Sequence, residues 1–505
     1  MKTYIKTILI GSLSLGITAC SSFLDEKPYS DITNENWSEG GKDQATEYTK
    51  GEQMEQLLTS AYKDFGNEFW QLDLYIMNES QSDNAYAGED KEQTRQFDEL
   101  RVSPTNGGIK RDWAYLFGQI SKANTIIAWT PKIKDPNFNN KRQKEVEAEA
   151  RAMRAIDYFY LVRLYENVPL IIDEIPEISV DNIDEVYPLL YPAQATKEVV
   201  YTQILEDLSF ALENIPDYSD NKFKITKALV NFITAEVYAT KDGFQNADWN
   251  KVKEHASKVV NDSRYRLLDK YDDLFAVEKE AEDGVLPSSN LLNEHSKESL
   301  FEVDYTSWNT LGNWGAQMFF GVDWKKFNTP SHDLVNAFNK ENDEVRKKAS
   351  IKFGDVTGKW TDKYWASNNY PYCFKMRAQE AANIIIYRYA EAILLLADAE
   401  NEMGNISAAQ KLVNQIRSRV NLPNTKANSK EELRLAIENE YRLEFAFEGK
   451  RWLDLKRRNR FIQVMKSCSD HQSDYGYRLN EQKLIWPIPQ SELELNENLK
   501  QNPGY

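Results

Sequence analysis

Apolar residues along much of this chain recur at the three-to-four-residue spacing of α-helices. Between Glu145 and Glu166, Ala148, Ala152, Ala155, Phe159 and Val162 follow at steps of 4, 3, 4 and 3, with Met153, Ile156, Tyr160 and Leu164 as a second stripe. Two stripes predict a helix packed on two sides. Asn167-Val168-Pro169 ends it, because the residue before proline avoids helical geometry. Lys197 to Ile215 and Thr226 to Thr240 predict two more helices. Near Arg388 to Val420 the pattern predicts a helical hairpin through Ile385, Tyr389, Ala392, Leu396, Ala399 and Met403, with Gly404 as the cap. Ser407 with Gln410 predicts a capping box for the partner helix, and Ser429 with Glu432 repeats it ahead of Leu433 and Ile437.

Tyr441 to Arg458 alternates bulky apolar residues with charges. Its spacing predicts local ion pairs between Glu438 and Arg442, between Glu448 and Arg451, and from Asp454 to Arg457 and Arg458. Leu443, Ala446 and Phe447 would share one helical face, Gly449 would break the helix, and Trp452, Leu453 and Leu455 would resume it. Such paired charges beside large hydrophobes point to a core, not to catalysis.

Leu286 to Tyr372 loses the periodicity and is rich in Asn, Ser, Gly, Trp and Tyr. Long irregular inserts in compact domains carry function. No Gly/Ser or Pro-rich linker divides the chain, so one composite domain is expected over residues 20–505. Within it a helical scaffold covers about 40–285 and 384–465, and an irregular insert about 286–383.

Charge narrows the function classes. The net charge is −17, or −19 once a leader carrying Lys2 and Lys6 is removed, which argues against nucleic acid as the ligand. Lys2 and Lys6 precede a short apolar run, Ile8 to Ala19, too short to span a bilayer as a helix. Ile17-Thr18-Ala19-Cys20 resembles a bacterial lipobox, so residues 1–19 are expected to be a lipoprotein signal peptide and Cys20 the lipidated residue. The two remaining cysteines, Cys373 and Cys468, allow either a disulfide or two buried thiols.

Several blocks share one resemblance. Arg442, Glu444, Phe445, Phe447, Glu448, Gly449, Arg451, Trp452, Asp454, Leu455 and Arg457 resemble the signature run of the SusD/RagB family, nutrient-binding lipoproteins of the Bacteroidetes outer membrane. Ser21 to Pro28 is similar to the opening of that family, and Ala150 to Leu170 to its first long helix and exit. Asn328-Thr329-Pro330-Ser331 with Leu334, Val335, Phe338, Asp343 and Arg346, and the ending Leu484 to Tyr505, match further blocks in order. The resemblance implies a mainly α fold, with tetratricopeptide-type helix pairs as scaffold and a large loop-rich ligand-binding insert. It implies a non-enzymatic surface lipoprotein that captures an oligosaccharide, or a peptide, for a SusC-type TonB-dependent transporter. Its place would be the outer membrane, lipid-anchored and facing the exterior, with no cofactor. A lipid-anchored glycoside hydrolase is the alternative.

Catalytic and metal motifs do not favour that alternative: HExxH, phosphate-loop, GxSxG and EF-hand strings are missing, and His255, His295, His332 and His471 are scattered. Sugar rings present C–H faces to aromatic rings and hydroxyls to Asn, Asp and Gln. Two segments offer both kinds of group, and the resemblance places ligand loops in the same regions. The first supplies Trp70, Asn78, Asp83, Asn84 and Tyr86; the second supplies Trp308, Asn313, Trp314 and Trp324. Burial in the core is the competing role for Trp70 and Trp324, whereas Trp308 and Trp314, flanked by Ser, Asn and Gly, are expected to be exposed.

Overall fold

A computed structural model describes residues 48–89, 91–176, 182–282, 285–470 and 478–505. The leader and Cys20 lie outside them. Among the described residues eight α-helices precede the insert: α1 (Gly51–Asp64), α2 (Glu92–Asp98), α3 (Gly107–Trp129), α4 (Asn140–Tyr165), α5 (Ile183–Leu190), α6 (Lys197–Asn214), α7 (Lys227–Thr240) and α8 (Trp249–Val260). The two-stripe reading of α4 holds: from Ala150 to Tyr165 only Arg151 and Arg163 escape full burial. Asn139 starts this helix a turn earlier than the stripes do, its side chain accepting from the Arg142 N–H. α4 then packs between α3 and α6.

After the insert come α11 (Tyr389–Glu402), α12 (Ile406–Arg419), α13 (Lys430–Glu444) and α14 (Arg451–Arg457). α8 packs directly on α11, so the helical stack runs on across the insert as if it were not there. The insert itself contains α9 (His332–Glu341), α10 (Glu344–Ser350) and short antiparallel strand pairs. The strand Ser299–Val303 pairs with Ile384–Arg388, whose end leads straight into α11. Outside the insert, the strand Ala85–Tyr86 pairs with Thr329–Pro330 and stitches the segment after α1 to it. Among the described residues two short α-helices, α15 (Phe461–Met465) and α16 (Gln490–Leu495), follow α14. Among the described residues no helix is long and apolar enough to cross a membrane.

Ser429 and Glu432 do form a reciprocal capping box at α13. Ser407 does not cap α12: Gly404 closes α11 at φ +83°, the Asn405 N–H returns to the Glu400 carbonyl, and the next helix begins at once at Ile406. In the signature, α13 stops at Glu444, and a turn with Phe447 at φ +62° and Gly449 at φ +69° leads to α14. Leu443, Ala446 and Phe447 therefore enter the core from a helix end and a turn, not from one face. A Cβ on Gly449 would stand 3.2 Å from Leu74, so the turn packs tightly.

The signature's charges mostly find distant partners. Asp454 does pair with Arg457 and Arg458, at 2.7 and 3.0 Å. Arg442 and Arg451 instead share Asp83, at 3.0 and 2.8 Å. Glu448 turns to Lys375 and Arg388, at 2.6 and 2.8 Å. Long-range pairing wins because these groups are buried, and a buried charge needs its partner where the core puts it. Cys373 and Cys468 are two buried free thiols.

Candidate functional site

Six of the nine predicted ligand residues are fully buried and already bonded within the protein. Residues 69–80 wind into two π-helical turns, Phe69–Asp73 and Ile76–Ser80, which direct polar side chains inward. Trp70 packs edge-on against Phe69 and Tyr160, with ring centroids 5.0 Å away in each case, and its indole N–H donates to Gln119. Asn78 donates to the Leu74 carbonyl and accepts from the Leu453 N–H. Asn84 bridges Glu79 and Arg442. Tyr86 donates to Asp362 at 2.6 Å. Asn313 donates to the Ala382 carbonyl.

Asp83 lies between two guanidinium groups. Burial alone would raise its pKa, but Arg442 and Arg451 beside it outweigh that and bring it down to about 2. Glu79 goes the other way: burial pushes it up to about 6, even though Asn84 and the Phe447 and Gly449 N–H groups bond to it. These residues hold the signature turn to the first half of the chain. The excess of arginine in the signature was the sequence signal for that role, since each one needed a carboxylate somewhere.

Trp308 is exposed over 48% of its surface. Its loop is closed by Thr306 N–H to Leu311 O and Leu311 N–H to Ser307 O. The indole rests against Gly312, where a Cβ would lie 2.5 Å from the ring. Asn313 and Glu380 exchange backbone hydrogen bonds of 2.9 and 2.8 Å, and the Trp308 N–H meets the Glu380 carboxylate at 3.3 Å. Trp314, expected to be exposed as well, is half-buried because its N–H and that of Gly315 are both anchored on Gln71.

A polar edge runs from Trp308 to Trp324. Gln379, next to Glu380, bonds the side chain of Gln317, and the Gln317 carbonyl accepts from Lys326 at 2.9 Å. The Lys326 ammonium sits 4.1 Å over the half-buried Trp324 ring and pairs with Asp323 at 2.7 Å. Beyond it, Lys359 bonds the Val322 carbonyl and brings in three half-buried rings that sequence reasoning missed, Trp360, Tyr364 and Trp365. Trp365 stacks on His332 at 3.7 Å and Tyr364 packs edge-on to Tyr86 at 4.9 Å. The alternation of aromatic and charged residues from Trp360 to Trp365 was the available clue.

Such an edge offers ring faces for C–H stacking and amide, carboxylate and ammonium groups for hydroxyls. A pocket of about 50 Å³ lined partly by Asn313, Ala378, Ala382 and Asn383 is too small for a sugar ring, so the edge beside it is an open surface. His295, Glu302 and Asp304 bring potential metal-ligand atoms within 4.8 Å of one another. The Lys222 N–H donates to His295 Nδ1 at 2.9 Å, and Nε2 faces Asp304 at 3.3 Å, a geometry that puts the ring proton on Nε2 and reads as a hydrogen-bonded triad.

Comparison with known proteins agrees along nearly the whole chain. A family model described as "SusD family" matches residues 318–505, and one described as "Starch-binding associating with outer membrane" matches residues 22–239. The chain is 25% identical to "SusD-like protein P2" of Formosa agariphila, with 100% of both chains covered. It is 23% identical to "Starch-binding protein SusD" of Bacteroides thetaiotaomicron, again over 100% of both. Its fold superposes on that of a "Laminarin binding SusD-like protein" with a TM-score of 0.70 at 22% identity, covering 91% of this chain and 100% of the other.

Proposed function

The chain belongs to the SusD/RagB family, and on that premise we propose that it is a binding protein, not an enzyme, that captures an extracellular glycan. The observation that carries this reading is Trp308, a large aromatic held open beside Glu380, Gln379 and Gln317. The names of relatives that bind starch and laminarin support the ligand class. Each stacked ring adds ~0.5 to 1.5 kcal/mol beyond area burial, so one open and several half-open rings suit dissociation constants of about millimolar to micromolar. Loose capture fits a protein that must pass its cargo on.

Delivery would be to a SusC-type TonB-dependent transporter, with the protein anchored through Cys20 in the outer membrane and facing the cell exterior. The lipobox-like Ile17-Thr18-Ala19-Cys20 and the family resemblance support that placement. Screening residues 21–505 against immobilised glycans and peptides tests the reading. It predicts saturable retention by at least one glycan with no release of reducing ends; retention by peptides alone, or hydrolysis of the glycan, would overturn it.

A further inference from the structure

A second opening lies on the scaffold, away from Trp308. The ends of α4 and α7, the start of α6, α14 and residues 481–485 enclose a cleft of about 850 Å³. That volume falls in the range of small-molecule sites.

Its cations are unusual for this protein. In a chain of net charge −17, carboxylates outnumber arginines and lysines, and most buried cations sit on one. Arg163 and Lys456 line the cleft, and neither has a carboxylate partner among the described residues. Arg163 lies over the Phe159 and Tyr160 rings, 3.7 and 4.4 Å from their centroids, and its Nε donates to the Phe159 carbonyl. The Lys456 ammonium donates to the Arg163 backbone carbonyl, close enough for the Arg163 charge to act on it. Arg457 lines the same cleft with a side chain only 9% exposed; Asp398 and Asp454 hold its Nη2, while its Nη1 has no partner. Arg163 Nη2 is likewise buried without a partner. Lys197 completes the group, paired with Glu166 at 2.5 Å.

We propose that this cleft binds a small oxyanion, a carboxylate, sulfate or phosphate ester, held between Lys456 and Arg163 with Lys197 and Arg457 at its sides. Among the described residues Arg163 and Lys456 have no counter-charge in this half-buried site, and an anion in the cleft supplies it. Burial, aided by Arg163 and Lys197 and opposed by Glu166, brings the Lys456 ammonium down to about 7, consistent with a missing counterion. Glu198, Asp242 and Glu481 also line the cleft. They repel polyanions and can accept from hydroxyls, which favours a ligand with a single anionic group, either a free ion or an acidic substituent on a saccharide.

The test titrates residues 21–505 with sodium sulfate, glucuronate and glucose at constant ionic strength, following heat or amide shifts. Saturable binding of sulfate or glucuronate and none of glucose is expected. Tighter binding of glucuronate would identify the anion as a saccharide substituent, and tighter binding of sulfate a free ion. Lys456→Met should weaken binding at least tenfold, and Lys197→Ala, a partly exposed change that leaves the fold intact, a few-fold. Trp308→Ala should leave it unchanged, so the outcome stands apart from the glycan-capture reading. No saturable binding of either anion, or binding that survives both lysine changes, would overturn the proposal.

Discussion

Arg451 grips Asp83 with two parallel hydrogen bonds, Nε to Oδ1 at 2.8 Å and Nη2 to Oδ2 at 3.0 Å, across 368 residues of sequence. Both side chains are buried, and Arg442 adds a third contact to the same carboxylate. Asp83→Ala leaves two buried guanidinium groups without their anion, and removing one partner of such a pair costs about 3–5 kcal/mol. Urea unfolding of the variant should show that loss, while the folded protein still binds glycan, since Asp83 does not reach the surface.

The same contact sets the acid limb of stability. Asp83 falls from 3.8 to about 2 in the folded state, so its stabilisation is present above the ordinary carboxylate range and is lost as pH drops from about 4 toward 2, by ~2 kcal/mol. Glu79 is raised from 4.5 to about 6, so stability should fall by a similar ~2 kcal/mol as pH rises from 4.5 through 6. Denaturation midpoints across this range should show both limbs, with the second flattened in Glu79→Gln.

Two glycines of the Trp308 loop should behave differently. Gly312→Ala pushes on the indole, a side chain that can move, so it should keep the fold, shift tryptophan fluorescence and weaken ligand binding. At Gly315 a Cβ would stand 2.1 Å from the Gln71 backbone carbonyl, which cannot yield, so Gly315→Ala should lower the thermal midpoint.

Native thiols should be silent. Cys373 is buried in the strand Tyr370–Cys373, its pKa pushed up to about 11, and the Cys468 thiol is raised by burial and by Asp333. Residues 21–505 should label at neither cysteine until denatured, and reductant should not move the midpoint.

Helix periodicity made the scaffold legible, as α4 with its two apolar stripes illustrates. Loss of that periodicity marked the insert, and the family resemblance added the tetratricopeptide-type scaffold and the regions expected to carry ligand loops. The binding residues were harder. Trp70 and Trp308 look alike in composition, but π-helical winding and packing on Tyr160 bury one, while a glycine turn holds the other open. Local spacing also misassigned Arg442 and Arg451, because a residue 368 positions away cannot be seen in a helical window. Trp360, Tyr364 and Trp365 stand in an equally polar run, and their half-burial comes from packing on Tyr370, Tyr86 and His332, distant partners that local sequence does not show.

The most direct measurement is a paired titration of Trp308→Ala and wild-type protein with the best glycan from the panel, alongside thermal unfolding of both. The account predicts affinity reduced about threefold to tenfold, ~1 kcal/mol, with an unchanged unfolding midpoint. Equal affinity for wild type and variant would contradict it.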